Sequence, residues 1–363
     1  MTNRPAPPRR SLTSLEELAA AGLIATGEDS GLDTVAARYA IAITPAMAAL
    51  IDPDDPTDPI AAQFVPKSRE NATTPSERSD PIGDGTHSPV PGVVHRYPDR
   101  VLLKLASVCP VYCRFCFRRE MVGPDKGKPL SEAELSAALA YVSRHPEIWE
   151  VIVTGGDPFV LSPRRVRQLN ERLDTIAHVA VVRWHTRVPV VATELVTPDL
   201  VAALRASHKA VYVAIHANHP RELTTEALAA IARLVDAGIV CRSQTVLLRG
   251  VNDDPATLEQ LMRAFVAARV VPYYLHHVDP APGTAHFRVP LVRARALVRG
   301  LRGRLSGLCQ PMLVIDVPGG AGKVHVAPSD LETDTEGAVW LRDRNGIRHR
   351  YDWAEDDLDA SAP

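Results

Sequence analysis

Val101-Leu-Leu-Lys-Leu-Ala-Ser-Val-Cys109-Pro-Val-Tyr-Cys113-Arg-Phe-Cys116 joins an apolar run to three cysteines spaced C-x3-C-x2-C. The run Val101–Ala106 reads as a buried strand, and the cysteines follow where that strand ends. Three thiolates so close together suit three irons of a cubane [4Fe–4S] cluster, leaving the fourth iron open to a small molecule. A zinc site is the competing reading, with His95 as its fourth ligand, although closed zinc sites favour paired C-x2-C spacings. A disulfide is weaker, because only Cys241 and Cys309 remain and both lie far from the trio.

Outward from this run, apolar stretches alternate with helical patterns. Further strands are expected at Glu150–Thr154, Val179–Trp184, Ala210–Ile215, Ile239–Leu248, Val271–His276 and Met312–Val317. The helices between them have readable starts. Ser131-Glu-Ala-Glu134 is a capping box, with Leu135, Leu139 and Val142 on one face. Ser162-Pro163, Thr197-Pro198 and Asp254-Pro255 place a cap before a first-turn proline, and Thr224 opens a helix that Gly238 ends. Six β-then-α units and a seventh strand specify an α/β fold with a parallel sheet, open or barrel-like.

Residues 1–90 differ in texture and are expected to form a helical and loop extension. Helical patterns at Ser14–Ala21 and Leu32–Ile43 are separated by connectors such as Asp52-Pro-Asp-Asp-Pro-Thr-Asp-Pro59, and a polar loop covers Ser68–Ser88. The β/α unit is assigned to 91–330. A short tail, 331–363, carries an expected hairpin from Ala338 to Tyr351 that turns at Asn345-Gly346. The 363 residues carry a formal charge of −2 and no long basic run, so neither nucleic acid nor a membrane surface is an expected partner. Apolar stretches are too short for a membrane span, and a reducing, cytoplasmic setting is expected for the clustered cysteines.

In parallel β/α folds ligands gather at the carboxyl ends of strands. The unusual residues fall there: the cysteines after the first strand, Gly155-Gly156-Asp157-Pro158 after the second, His185 and Arg187 after the third, and His216 after the fourth. Gln244 lies in the fifth, Asp279 follows the sixth, and Asp316-Val-Pro-Gly-Gly-Ala-Gly-Lys323 ends the seventh. Gly155-Gly156 allows close backbone approach, otherwise a simple turn. The Asp316–Lys323 segment is not a Walker A loop, since Val324 replaces the required hydroxyl. A lysine presented there suits a Schiff base with pyridoxal phosphate (PLP); the bland alternative is a solvated turn lysine. Arg96, Tyr97 and Arg100 offer two guanidinium groups and a phenol to a phosphate dianion, or else pair with surface acids.

With these motifs on the page, the chain resembles the lysine 2,3-aminomutase family of radical S-adenosylmethionine (SAM) enzymes. The similarity runs from about Ile51 to Lys323, through His95-Arg-Tyr-Pro-Asp-Arg100, the cysteine run, Thr154-Gly-Gly-Asp-Pro158, Gln244-Thr-Val-Leu-Leu-Arg-Gly-Val-Asn252, Pro272-Tyr-Tyr-Leu275 and Pro318-Gly-Gly-Ala-Gly-Lys323. The resemblance implies a partial parallel (β/α)6-type radical SAM barrel with an N-terminal helical extension. It places the [4Fe–4S] cluster on Cys109, Cys113 and Cys116, and the PLP Schiff base on Lys323. The PLP phosphate falls to Arg96, Tyr97 and Arg100, and SAM to Gly155, Gly156, His216 and Gln244. By the same resemblance Arg118 binds the substrate carboxylate, while Asp279 and Asp316 hold the distal ammonium of lysine. Paired anions offset the desolvation of an ammonium, whereas a glutamate substrate would be repelled by them.

The family chemistry so implied is reductive cleavage of SAM, hydrogen abstraction from C3 of lysine by the 5′-deoxyadenosyl radical, migration of nitrogen from C2 to C3, and return of hydrogen to give β-lysine. A reducing partner such as flavodoxin or ferredoxin and a homo-oligomer are expected. Some members carry a structural zinc; here Asp254 stands at the core position and no cysteine follows Cys309, so no zinc is expected. The rivals are a β-lysine-forming relative serving elongation factor P modification, an aminomutase for another amino acid, a radical SAM protein without PLP, and a non-catalytic iron–sulfur or zinc module.

Overall fold

The computed structural model describes residues 8–25, 31–335, 338–343 and 345–351. Four short helices lead: α1 (Leu15–Ala20), α2 (Leu32–Arg38), α3 (Pro45–Leu50) and α4 (Pro59–Phe64). Ser14, Thr44 and Asp58 cap α1, α3 and α4 with side-chain oxygens, which satisfies amide donors that a helix start leaves free. The helical pattern expected over 32–43 stops at Arg38. Tyr39 turns extended, and Ile43 exchanges backbone hydrogen bonds with Leu12 at 2.9 and 3.0 Å, so tertiary pairing displaces the last helical turn.

The main sheet has nine strands in chain order: β1 (Val93–Tyr97), β2 (Arg100–Ala106), β3 (Glu150–Gly155), β4 (Val181–Thr186), β5 (Ala210–His216), β6 (Val240–Leu247), β7 (Val271–His277), β8 (Met312–Val317) and β9 (Gly322–His325). β2 through β8 pair in parallel; β1 and β9 close the two edges antiparallel. The expected seven-strand β/α order is therefore present, and the two antiparallel edges are additions. β4 is displaced two residues from its expected start because Val179 closes a turn onto Ile176 and Ala180 bonds Trp149.

Six crossover helices return the chain: α5 (Glu132–Ser143), α6 (Pro163–Asp174), α8 (Pro198–Arg205), α9 (Thr225–Asp236), α10 (Pro255–Ala267) and α11 (Leu291–Arg304), with a single turn, α7 (Val188–Val191), after β4. The Ser131 capping box forms in both directions, with Glu134 N–H donating to Ser131 Oγ at 3.3 Å and Ser131 N–H to Glu134 at 2.8 Å. Side chains on the helix-facing sides of the strands meet these helices in one contiguous buried cluster, which takes in Leu18, Met47, Ile60 and Phe64 of the leading helices.

The sheet curls into a nearly closed barrel. Its edges meet where the Lys323 N–H on β9 donates to the Tyr97 hydroxyl on β1 at 2.6 Å. Close to the C-terminus, β10 (Leu331–Thr333), β11 (Val339–Arg342) and β12 (Arg348–Arg350) form a separate antiparallel sheet. The expected hairpin is β11–β12, with Gly346 at φ +81° in its turn; β10 was not foreseen.

Candidate active site at the barrel mouth

The carboxyl ends of the parallel strands surround a cavity of about 260 Å³. All of Arg96, Tyr97, Arg100, Cys109, Cys113, Cys116, Arg118, Gly155, Gly156, His216, Gln244, Asp279, Asp316 and Lys323 line it. The expected site residues, drawn from a span of more than 200 positions, thus share one wall.

At one end lies the cysteine loop. Gly155 (φ +119°) and Gly156 are held by packing: a Cβ on Gly155 would lie 2.4 Å from the Ala106 carbonyl oxygen, and one on Gly156 2.3 Å from that of Val108. Gly156 N–H donates to Ala106 at 2.6 Å and Asp157 N–H to Val108 at 3.0 Å. The glycine pair is therefore explained here by the cysteine loop pressed against β3. Burial pushes all three thiols above their ordinary pKa, Cys116 to about 11. Ligation by a metal would displace those protons.

Arg187, just past β4, donates Nη1–H to Cys113 Sγ at 2.8 Å and Nη2–H to Gln63 at 2.7 Å and Glu222 at 2.6 Å. Asp157 accepts the backbone N–H groups of Phe159, Arg187 and Val188 and the Thr186 hydroxyl, which fixes the bend that aims Arg187. His95 does not join the cysteines. Its Nδ1 is 2.8 Å from the Tyr141 hydroxyl and its ring packs edge-on against Tyr141 and His145, which removes it as a fourth zinc ligand. Asp254 caps α10 through the Thr257 N–H at 2.9 Å.

At the other end, the β8–β9 turn sets Asp316 and Lys323 opposite each other in register. Lys323 is therefore a strand residue, and its Nζ lies 2.7 Å from Asp316 Oδ1. Gly320 (φ +91°) lets this turn pass His87, whose Nε2 would lie 2.5 Å from an added Cβ. Arg96 Nη1 at 3.8 Å and His276 Nδ1 at 3.5 Å also face Asp316. Burial raises the Asp316 pKa, but the His276 hydrogen bond and the Lys323 charge outweigh it and leave about 2. Asp279 differs: among the described residues its half-buried carboxylate receives no hydrogen bond. Burial and the nearby Asp316 charge raise its pKa to about 7. Burial also lowers the pKa of His185, His216 and His276.

Arg100 stacks over the Tyr97 ring at 3.8 Å, and Arg96 pairs with Asp84 at 3.1 Å. Arg96 Nε, His185 Nε2 and His276 Nε2 are buried without a partner among the described residues. The orphaned Arg96 Nε–H fits a ligand that brings a phosphate, and the unpaired ring nitrogens of His185 and His276 leave room for polar groups of that ligand. Asp84, His276 and the Gln63–Glu222 pair escaped sequence reasoning. Each is an isolated polar residue in a loop, strand or helix with no motif around it.

A mostly parallel barrel with a C-x3-C-x2-C loop at its mouth defines a radical SAM enzyme, and the Radical SAM superfamily profile matches residues 103–262. The profile for the C-terminal region of lysine-2,3-aminomutase matches residues 298–363. The chain is 38% identical over 344 residues to the L-lysine 2,3-aminomutase of Acetoanaerobium sticklandii, covering 95% of this chain and 83% of that one. It is also 38% identical to that of Clostridium subterminale, with 94% and 82% covered. The glutamate 2,3-aminomutase of Clostridioides difficile is 31% identical, with 92% and 79% covered. This chain belongs to the lysine 2,3-aminomutase family. It is an isomerase, and membership implies a [4Fe–4S] cluster, SAM and, for the aminomutases, PLP. No helix among the described residues is long and apolar enough to cross a membrane.

Proposed function

We propose that the protein is a PLP-dependent L-lysine 2,3-aminomutase that converts lysine to β-lysine. The observation that carries this reading is the set of charges on the cavity wall. Asp279 and Asp316 line the same cavity, Lys323 pairs with Asp316 there, and Arg118 on the same lining supplies a cation for a carboxylate. Asp279 supports it most directly. An ionised carboxylate that receives no hydrogen bond is costly to bury, and a substrate ammonium would donate to it.

When bound, the cluster supplies one electron to SAM, and PLP supplies a π-system that lowers the cost of nitrogen migration. This chain's own residues do the rest. Cys109, Cys113 and Cys116 ligate the cluster, and Arg187 holds a positive charge against Cys113. Gly155, Gly156, His216 and Gln244 border the space left for SAM. Lys323 would hold PLP through its amine, and Arg96, Tyr97 and Arg100 would hold its phosphate. Asp316 and Asp279 would face the substrate ammonium. Electrons come from a small carrier of flavodoxin or ferredoxin type.

Anaerobic incubation of reconstituted protein with lysine, SAM, PLP and reductant tests the proposal. β-Lysine is the expected product. Turnover of glutamate in preference to lysine would overturn the substrate assignment and leave the radical chemistry standing.

A further inference from the structure

Asp84 lies in none of the motifs that mark this fold, yet it is 1% exposed and faces three cations. Arg118 Nε donates to its Oδ2 at 2.9 Å, Arg96 Nη2 to its Oδ1 at 3.1 Å, and Lys104 Nζ is 3.9 Å away. Burial raises its pKa, but the charges of Arg118, Lys104 and Arg96 outweigh that and keep it ionised. The segment carrying it is strapped across the mouth. Arg78 N–H donates to Pro280 past β7 at 2.8 Å, and Gly319 N–H in the β8–β9 turn donates to Pro81 at 3.1 Å. Asp80 then receives the N–H groups of Asp84 and Gly85, both at 2.8 Å, which fixes where the Asp84 side chain starts.

The consequence falls on Arg118. Its Nε is committed to Asp84, while both Nη nitrogens lack a hydrogen-bond partner among the described residues on a side chain that lines the cavity. A planar guanidinium held at Nε presents its remaining donors in one fixed direction, the arrangement that carboxylate recognition requires. Resting on the function proposed above, we infer that Asp84 is the positioning residue that aims Arg118 at the substrate carboxylate, so that the N-terminal strap sets the head-group end of the pocket.

The test compares lysine with lysinamide, which keeps both amines and replaces the carboxylate by a neutral amide. In holoenzyme with saturating PLP and SAM, Asp84→Asn should raise the lysine KM by about tenfold or more. The inhibition constant of lysinamide should move by less than about twofold, and cluster content should be unchanged. In an Arg118→Lys background the added Asp84→Asn change should have little further effect, because a double-mutant cycle detects the shared route. Asp84→Glu, which keeps the charge and folds if Asn does not, should restore part of the lysine affinity and leave lysinamide alone. Equal shifts for both ligands, or no shift for lysine, would overturn the role of Asp84 while the parent still makes β-lysine. A parent inert to lysine would overturn the functional reading itself and this assignment with it.

Discussion

The two ends of the cavity are built in opposite ways. At one end the three thiols lie within eight residues of one loop, and the loop's shape follows from backbone packed on backbone at Gly155 and Gly156. Away from the cysteines the groups that face Asp316 come from β1, β7 and β9, and Asp84 reaches Arg96 and Arg118 from the strap across the mouth. The first end is spaced locally, with Arg187 reaching Cys113 from past β4. The second is a balance of buried charges drawn from across the chain, so a single substitution there leaves some other charge without its partner.

The largest expected effects separate the ends completely. A triple Cys109, Cys113, Cys116→Ala variant should lose iron and sulfide by anaerobic analysis and all turnover, yet still bind PLP. Lys323→Ala should keep the cluster and lose the attachment of PLP; in the parent, borohydride reduction and peptide mapping should place the pyridoxyl group on Lys323. Label on Lys104 or Lys209 would break the division as drawn.

Next come the carboxylates. Asp279→Asn and Asp316→Asn each leave a substrate ammonium underpaired, at roughly 3–5 kcal/mol in a dry site. Lysine kcat/KM should then fall by about two to four orders of magnitude, with cluster content and SAM affinity unchanged. Parent-like kinetics in both variants would remove the amine end from substrate selection.

Asp279 also predicts a pH dependence. Its pKa rises from 3.8 to about 7 in the free protein, so the folded chain keeps a proton that the unfolded chain has lost. Stability contributed at this position therefore declines as pH climbs from about 4 to 7 and stays lost above that. In ligand-free protein Asp279→Asn should raise the melting temperature by an amount that grows over this range and then levels off. Lysine binding by the parent should weaken as pH drops below about 7, and that limb should vanish in the variant.

The smallest effect serves as a control outside both ends. Ser131→Ala removes the α5 cap and should cost about 1 kcal/mol by denaturant titration, with activity unchanged.

The legibility of the chain follows the same division. Alternating apolar runs and capped helices announced the seven parallel strands within a residue or two, because strand and helix periodicities are written into consecutive positions. The cysteine loop was legible for the same reason. The end of α2 at Arg38 was not, since Ile43 pairs with Leu12 across thirty intervening positions. Nor was β9, whose pairing with β8 makes Lys323 a strand residue and Asp316 its partner.

By itself the sequence determined the β/α order, the helix caps and the spacing of the three thiols, all of which depend on neighbours within a turn or a strand. Tertiary structure alone decided which charges meet. An aspartate in a polar loop carries no local mark of its fate, and Asp84 becomes a buried counter-ion only when the strap crosses the mouth to Pro280 and Gly319. Long-range electrostatics in a low-dielectric cavity depends on distance in space, which spacing along the chain does not encode.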